Sequence, residues 1–119
     1  VSMAEELAEN LHTVIAISGK IDVISDGKRS CVLRNGCATM ARITGSGCML
    51  TALIGAFCGA NGDDFLAACS AMAVMGISGE IAEERRLLHG TGNATFRNDL
   101  IDAVFNLTEE QLEKGVHYE

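Results

Sequence analysis

The sequence contains no proline and no tryptophan, and aromatic residues make up only 4% of it. Basic residues are also scarce, nine against sixteen acidic ones, so the formal net charge is −7. This deficit argues against a nucleic-acid surface and an anionic membrane surface, because both depend on clustered Lys and Arg. It does not argue against a nucleotide ligand, since backbone N–H groups can bind phosphates.

The spacing of the cysteines and histidines does not match that of a disulfide framework or of a zinc site. The five cysteines include no CxxC pair and the three histidines no HxxxH pair, so neither a disulfide framework nor a zinc site is predicted. Cys58 and Cys69 lie in apolar stretches that look helical, which predicts buried free thiols. Such a set is typical of a reducing compartment, so we expect a cytoplasmic protein. The apolar runs 48–60 and 65–77 are both shorter than the about 20 residues that a membrane-spanning helix needs.

What is present suffices for one folded domain with an aliphatic core, since 48% of the 119 residues are hydrophobic and 21% are charged. Apolar periodicity and turn residues predict the order of helices and strands. The predicted segments are a helix over 3–11, strands at 14–17, 21–25 and 30–33, a short strand within 39–43, and helices over 48–60, 65–90, 95–106 and after 108.

Single residues mark the ends of these segments. Ser2 with Glu5 and Thr108 with Gln111 have the spacing of a capping box, and Asp63 or its neighbour is expected to cap the next helix. The hairpin loop that follows the second strand is predicted to be longer than two residues, and residues 35–36 form another turn.

The fold class follows from a strand, a Gly-rich turn and a helix in that order, which indicates α/β. The strand 14–17 and the helix 48–60 are apolar nearly throughout, so both are predicted to be buried on most sides. Four short strands are few for this many helices. We therefore expect further strands to come from an upstream segment or from a partner chain.

Thr44-Gly45-Ser46-Gly47-Cys48 is the segment that most strongly indicates function. Its two glycines let the backbone turn sharply and approach a ligand, and the turn opens directly into a helix. The first N–H groups of a helix lack internal partners and favour negative charge, so a phosphoryl group fits there. A thiol at Cys48 would face that ligand. From spacing alone, a glycine-rich loop that only turns the chain remains the equal alternative.

Three other places are weaker candidates. Ser18 and Gly19 end a predicted strand, where ligand loops of α/β sheets commonly lie, although a plain exit from the strand explains them as well. Asp22 is left open, whereas Asp26 is assigned to a solvated hairpin position. The stretch 90–93 is either a second ligand loop or a simple helix break.

Taken together, these segments resemble hydroxyethylthiazole kinases, members of the ribokinase-like superfamily, over nearly the whole chain. The Thr-Gly-Ser-Gly-Cys element is the most specific part, because most ribokinase-like kinases have Asp where this chain has Cys48. The resemblance rests on Val14-Ile-Ala-Ile-Ser-Gly19, Ile21-Asp22-Val23, Ser25-Asp26-Gly27, Thr44-Gly-Ser-Gly-Cys48, Gly90-Thr-Gly92, Thr95-Phe96 and Leu100-Ile-Asp-Ala-Val-Phe105.

The resemblance implies a three-layer α/β/α sandwich and transfer of the ATP γ-phosphoryl group to the primary alcohol of 4-methyl-5-(2-hydroxyethyl)thiazole, in thiamine biosynthesis or salvage. It also implies Mg²⁺ with ATP and a homotrimer with sites at subunit boundaries. Family members are about twice as long, so residues 1–119 would be the C-terminal part of a single kinase domain. The metal ligands and part of the pocket would then lie outside this chain, which would not be active by itself.

Carried over by position, the resemblance assigns roles to five residues. Ser18 matches the residue that contacts ATP, and Gly45 matches the glycine that contacts the thiazole alcohol. The amides of Ser46, Gly47 and Cys48 match the anion hole, and Cys48 takes the place of the catalytic acid or base.

Other functions stay open at this point. One is another ribokinase-like vitamin kinase, acting on a hydroxymethylpyrimidine or a pyridoxal-type alcohol. A second is a non-catalytic module that binds phosphate or nucleotide at 44–48. A third is a structural fragment whose apolar helices pair with a missing half.

Overall fold

The computed structural model describes residues 1–117 and shows a small sheet packed with helices, a mixed α/β fold. A short 3-10 helix, Ala38–Arg42, precedes the second α-helix. The elements in chain order are α1 Ser2–Leu11, β1 Ile15–Ile17, β2 Asp22–Ser25, β3 Ser30–Leu33, α2 Ser46–Ala60, α3 Asp64–His89, α4 Asn93–Asn106 and α5 Glu109–Gly115.

The three strands form an antiparallel sheet in the order β1-β2-β3. Ile15 pairs with Ser25, and Asp22 pairs with Leu33. The β2–β3 loop has four residues, as predicted, and Asp26 N–H donates to the Arg29 carbonyl across it, at 3.1 Å. Strand β1 is less covered than predicted, because it lies at the edge of the sheet with β2 as its only partner among residues 1–117.

Helix α3 is the centre of the packing, since it contacts β2, β3, α2, α4 and α5. Two core clusters lie along it. The first contains Ile24, Leu33, Phe65, Ala68, Met72 and Ala73, and the second contains Met75, Ala82, Phe96 and Leu100. By length and composition α3 could cross a membrane, but 72% of its apolar window is buried inside the protein. The helix therefore has the burial of a core helix.

Several helix ends form as the sequence predicts. Asp63 caps α3 by accepting hydrogen bonds from Phe65 and Leu66 N–H, and Thr108 forms a complete capping box with Gln111. The prediction of a capping box at Ser2 is wrong, because α1 already begins at Ser2, and its N-cap residue, Val1, makes no side-chain cap hydrogen bond. The first intrahelical bond there runs from the Glu5 N–H to the Val1 carbonyl, at 2.9 Å.

Three other expectations are overturned by packing. The short strand within 39–43 is the 3-10 helix, held to α3 by a hydrogen bond that the Thr39 hydroxyl donates to Glu83. Helix α2, all of whose residues are described, has no buried residue, because α3 covers only one side of it. On α4, Phe96 and Leu100 are buried as expected, but Phe105 is 87% exposed. A helix that is apolar all round thus need not be buried all round.

Candidate functional site

The site begins at the N-terminus of α2. Gly45 has a φ of 92°, a left-handed conformation that glycine adopts without strain, and the helix starts at the next residue. Met49 N–H donates to the Gly45 carbonyl at 2.8 Å, so the amides of Ser46, Gly47 and Cys48 form the unpaired first turn. Within residues 1–117, no side chain caps this turn. Its amides and the helix dipole are therefore free to bind an anion.

The Ser46 side chain forms a hydrogen bond with the preceding loop instead of capping the helix. Its hydroxyl donates a hydrogen bond to the Met40 carbonyl at 3.1 Å, which ties the start of α2 to the preceding 3-10 helix. The Ser46 amide remains the part of this residue that points into the first turn. This hydrogen bond helps to hold the loop before α2 in place.

A cleft of about 820 Å³ adjoins this turn. Its lining has an apolar part, which we call the floor, and a polar part, which we call the rim, a composition typical of small-molecule sites. The floor comes mainly from α2 and α3, and the rim comes from the loops after β1 and β3 and from the start of α2. The floor residues are Leu50, Met72, Met75 and Gly76, and the rim residues include Ser18, Gly19, Lys20, Asp22, Arg34, Asn35, Gly36, Cys37, Ser46 and Gly47.

The loop after β1 is held in place by Asp22. The Gly19 N–H donates to Asp22 Oδ1 at 3.1 Å, which fixes the turn that carries Ser18. Burial raises the pKa of Asp22, and the hydrogen bond from Gly19 partly opposes that effect. Asp22, which the sequence left open, is therefore a positioning residue at the cleft.

The structure brings three of the five expected site residues together. Ser18 lines the same cleft as Ser46 and Gly47, although they come from segments separated by the whole hairpin. The other two, Gly45 and Cys48, are not among the described residues that line the cleft. Both flank residues that do, and the Cys48 side chain is exposed. The space next to the Gly45 Cα is open within 4 Å. Both residues therefore border solvent beside the cleft.

Sequence reasoning missed the loop after β3. Asn35 and Gly36 were predicted only as a turn, yet they line the cleft together with Arg34 and Cys37. Burial raises the pKa of Cys37, and its thiol donates a hydrogen bond to the Gly79 carbonyl at 3.5 Å. Lys20 also lines the cleft, and its position just after Ser18 and Gly19 was the one signal in the sequence that could have found it.

Two weaker candidates prove to be structural. Asp26 accepts hydrogen bonds from the Lys28 and Arg29 amides at 2.9 and 2.6 Å, so it shapes the hairpin, as assigned. Gly90 ends α3 with a φ of 65°, and its N–H donates to the Arg86 carbonyl at 2.8 Å. No residue of the stretch 90–93 is found among the described residues that line the cleft. In this structure the stretch forms the break between α3 and α4.

A metal site was not expected on this chain. The described part, residues 1–117, holds no group of three or more His, Cys, Asp or Glu side chains arranged to bind a metal ion. Among the described residues that line the cleft, the one carboxylate is that of Asp22, and it already accepts a hydrogen bond from the Gly19 N–H. These residues do not by themselves fit a dedicated Mg²⁺ site.

Comparisons with known proteins bear on this geometry. A model of the hydroxyethylthiazole kinase family matches residues 1–110. The chain is 48% identical over 114 residues to a hydroxyethylthiazole kinase from Clostridium beijerinckii, covering 96% of this chain and 41% of the relative. It is 51% identical over 107 residues to one from Clostridium botulinum (strain Eklund 17B / Type B), covering 90% and 38%.

A solved structure is similar as well. It is that of a hydroxyethylthiazole kinase protein from Pyrococcus horikoshii OT3, with a TM-score of 0.87 and 28% sequence identity over 99% of this chain and 44% of that one. The chain thus spans less than half the length of each of these relatives. The family match extends over both cleft loops and the start of α2. This chain belongs to the hydroxyethylthiazole kinase family.

Proposed function

We propose that the protein takes part in the transfer of the ATP γ-phosphoryl group to the primary alcohol of 4-methyl-5-(2-hydroxyethyl)thiazole, in thiamine biosynthesis or salvage. The observation that carries this proposal is the cleft that joins the Ser18 loop to the uncapped first turn of α2. A cleft with anion-binding amides at one end suits a nucleotide triphosphate, and family membership supplies the reaction class.

Each proposed role follows from position. Ser18, on the rim, contacts ATP, and the amides of Ser46, Gly47 and Cys48 form the anion hole that stabilises the transferring group. Gly45, whose surroundings are open, contacts the thiazole alcohol. The alcohol oxygen attacks the γ-phosphorus as the bond to ADP breaks, and Cys48, as its thiolate, accepts the alcohol proton. Since phosphoryl transfer depends mainly on alignment and charge stabilisation, the anion hole contributes most.

The remaining parts of the proposal concern the whole enzyme. Mg²⁺ bound together with ATP would neutralise charge on the phosphates, and the carboxylates of residues 1–117 do not build a site for it. Residues 1–119 act as the C-terminal part of one ribokinase-like domain, a three-layer α/β/α sandwich, in a cytoplasmic homotrimer. The open edge of β1 and the uncovered α2 support this placement, because both leave surface for further elements of such a domain.

The test is ADP release from Mg-ATP, measured with and without hydroxyethylthiazole. Two proteins are compared: this chain alone, and a chimera in which the N-terminal segment of the Clostridium beijerinckii relative, outside the match, precedes it. We expect thiazole-dependent ADP release from the chimera and little from the chain alone. Release with hydroxymethylpyrimidine or pyridoxal instead would assign a sister vitamin kinase. ATP binding without release under any condition would identify a non-catalytic nucleotide-binding module.

A further inference from the structure

The charges that line the cleft have the opposite balance to those of the whole chain. The sequence has sixteen acidic residues and nine basic ones. Among the described residues that line the cleft, however, two are basic, Lys20 and Arg34, and one is acidic, Asp22. A cleft whose walls carry an excess of one sign concentrates ligands of the other sign. The cleft of this acidic protein therefore suits an anionic ligand.

The two basic residues lie on separate loops, and hydrogen bonds hold the backbone of both. Lys20 lies in the loop after β1, where the Gly19 N–H donates to Asp22 Oδ1 at 3.1 Å. Arg34 directly follows β3, and its N–H donates to the His117 carbonyl at 2.9 Å. These bonds position the two backbone segments from which the basic side chains extend.

Lys20 is available to a ligand. Its side chain is exposed, and within residues 1–117 its ammonium forms no ion pair, not even with Asp22 two residues away. The Asp22 carboxylate instead accepts from the Gly19 N–H, and burial raises its pKa, which weakens its hold on a neighbouring cation. A ligand that binds the Lys20 ammonium therefore displaces no contact inside the described part of the protein.

We propose that the Lys20 ammonium binds the two phosphates of ATP that remain in ADP, an assignment that rests on the proposed kinase function. In that function the amides at the start of α2 hold the transferring phosphoryl group. Ser18, two residues before Lys20 on the same loop, contacts ATP. A nucleotide held there brings its inner phosphates within reach of the lysine, whose compact charge and three N–H donors suit phosphate oxygens. Arg34 adds positive potential to the rim.

The test is calorimetric binding of Mg-ATP, Mg-ADP and adenosine to this chain and to the chimera with the Clostridium beijerinckii segment. Lys20→Gln keeps the side-chain length and removes the charge. We expect it to raise the Kd for Mg-ATP and Mg-ADP by about 10-fold and to leave that for adenosine unchanged. Lys20→Arg should restore most of the affinity. Lys28→Gln, at an exposed position outside the cleft lining, removes the same charge and should change none of the three.

Steady-state kinetics of the chimera separate a binding role from a structural one. Lys20→Gln should raise the KM for ATP while kcat and the KM for hydroxyethylthiazole change little, because the thiazole alcohol is uncharged. Equal Kd values for both nucleotides in the wild type and Lys20→Gln would overturn the proposal. So would weaker binding of Mg-ATP with unchanged Mg-ADP, or an equal loss for adenosine.

The same measurements distinguish this assignment from the kinase function. Nucleotide binding that depends on Lys20, without thiazole-dependent ADP release, would uphold the phosphate contact and refute that function. Thiazole-dependent release with an unchanged KM for ATP in Lys20→Gln would refute the contact alone. Failure of both wild-type proteins to bind Mg-ATP would overturn the two together.

Discussion

Cys48 is the residue at which the proposed chemistry can be separated from binding. It sits in the first turn of α2, exposed, directly after the two glycines of the loop. Replacing it with alanine removes the proton acceptor but leaves the backbone amides of the anion hole unchanged. We expect Cys48→Ala to lower turnover of the chimera by about 100-fold or more, because a positioned general base contributes about 10²- to 10⁴-fold, with little change in ATP binding.

The matched control is Cys48→Asp, which restores an acceptor and places a negative charge at a helix N-terminus, where it is tolerated. Its turnover should exceed that of the alanine variant. Steady-state ADP release and equilibrium ATP binding, measured on the same preparations, distinguish the two effects. Equal turnover for the wild type and Cys48→Ala would remove the thiol from the mechanism.

Asn35 is the residue on which the cleft rim and the C-terminal segment converge. Its Nδ2 donates to Glu80 Oε2 and to the Gly115 carbonyl, both at 2.7 Å, and its Oδ1 accepts from the His117 N–H at 2.7 Å. The side chain is 7% exposed. The buried Asn35 side chain therefore connects the loop after β3 to α3 and to the end of α5.

We expect Asn35→Ala to lower the free energy of unfolding by roughly 2–4 kcal/mol, because it leaves several buried polar partners unpaired. Asn35→Asp should cost at least as much, since it places a carboxylate against Glu80. Asn98→Ala, on the exposed face of α4, is the control and should stay within about 0.5 kcal/mol. Denaturant unfolding measures all three, and an unchanged midpoint for Asn35→Ala would contradict this account.

At the scale of elements, the close approach of α3 to the β3 loop depends on glycine. A Cβ on Gly76 would lie 2.7 Å from the Asn35 Cβ and 3.1 Å from its carbonyl carbon, atoms that cannot move aside independently. A Cβ on Gly79 would meet the Met40 Sδ at the flexible end of a side chain. The two glycines occupy the same helix but face neighbours of very different stiffness.

Gly76→Ala should therefore destabilise the protein by about 1–3 kcal/mol through overpacking. Gly79→Ala should cost less, because the Met40 side chain can rotate away. Gly55→Ala on α2, with open space around it, should be neutral or stabilising by about 0.5–1 kcal/mol, as alanine is the better helix former. Thermal unfolding of the three variants gives their order. Equal losses at 76 and 79 would show that the α3 contact is not rigid.

The β2–β3 hairpin has its own dependence on pH. Hydrogen bonds from the Arg29 and Lys28 amides, together with the Arg29 guanidinium, lower the pKa of Asp26 from 3.8 to about 2. A lowered pKa in the folded state means that the ionised carboxylate stabilises the fold above its ordinary pKa. That stability is lost as the pH falls through the folded pKa.

We therefore expect the free energy of unfolding to fall as the pH is lowered from about 4 to about 2. In the Asp26→Asn variant it should fall less steeply over that range. The asparagine keeps an oxygen that can accept from the amides, so the variant isolates the charge. Asp102→Asn, on the exposed side of α4, serves as the control for removing one carboxylate. Unfolding midpoints as a function of pH check the difference, and identical slopes for wild type and Asp26→Asn would contradict the assignment.

At the scale of the whole molecule, the protein is elongated, and part of its apolar surface is exposed to solvent. Its extents are 46 × 25 × 23 Å, and α2 has no buried residue. Leu87, Leu88 and Phe105 are 68%, 75% and 87% exposed. Apolar surface of this kind favours association in water. We expect a concentration-dependent increase in mass by sedimentation equilibrium.

Phe105→Glu should weaken that association, whereas Asn106→Glu, which adds the same charge at the next exposed position, should change it less. Light scattering at several protein concentrations compares the two. A protein that stays monomeric at all concentrations would show that these exposed side chains do not form an interface. The result is independent of whether the chimera has kinase activity.

The sequence by itself determined the features that depend on neighbours along the chain. The hairpin, the caps at Asp63 and Thr108, the end of α3 at Gly90 and the glycine turn before α2 all follow from residue type at fixed local spacing. The resemblance to hydroxyethylthiazole kinases, borne out by the family match, rested on the same local segments. Backbone preferences and side-chain capping act within a few residues, so a single sequence reveals them.

Only the tertiary structure decided which surfaces are covered and which distant residues meet. Periodicity showed that α2 is apolar but could not show that α3 would cover just one side of it. The predicted strand within 39–43 is instead part of the 3-10 helix Ala38–Arg42, which the hydrogen bond from Thr39 to Glu83, far along the chain, holds against α3. The Asn35 hydrogen bonds and the cleft that joins Ser18 to Ser46 have the same origin. Contacts between distant segments depend on how the elements pack, and local residue patterns do not encode that packing.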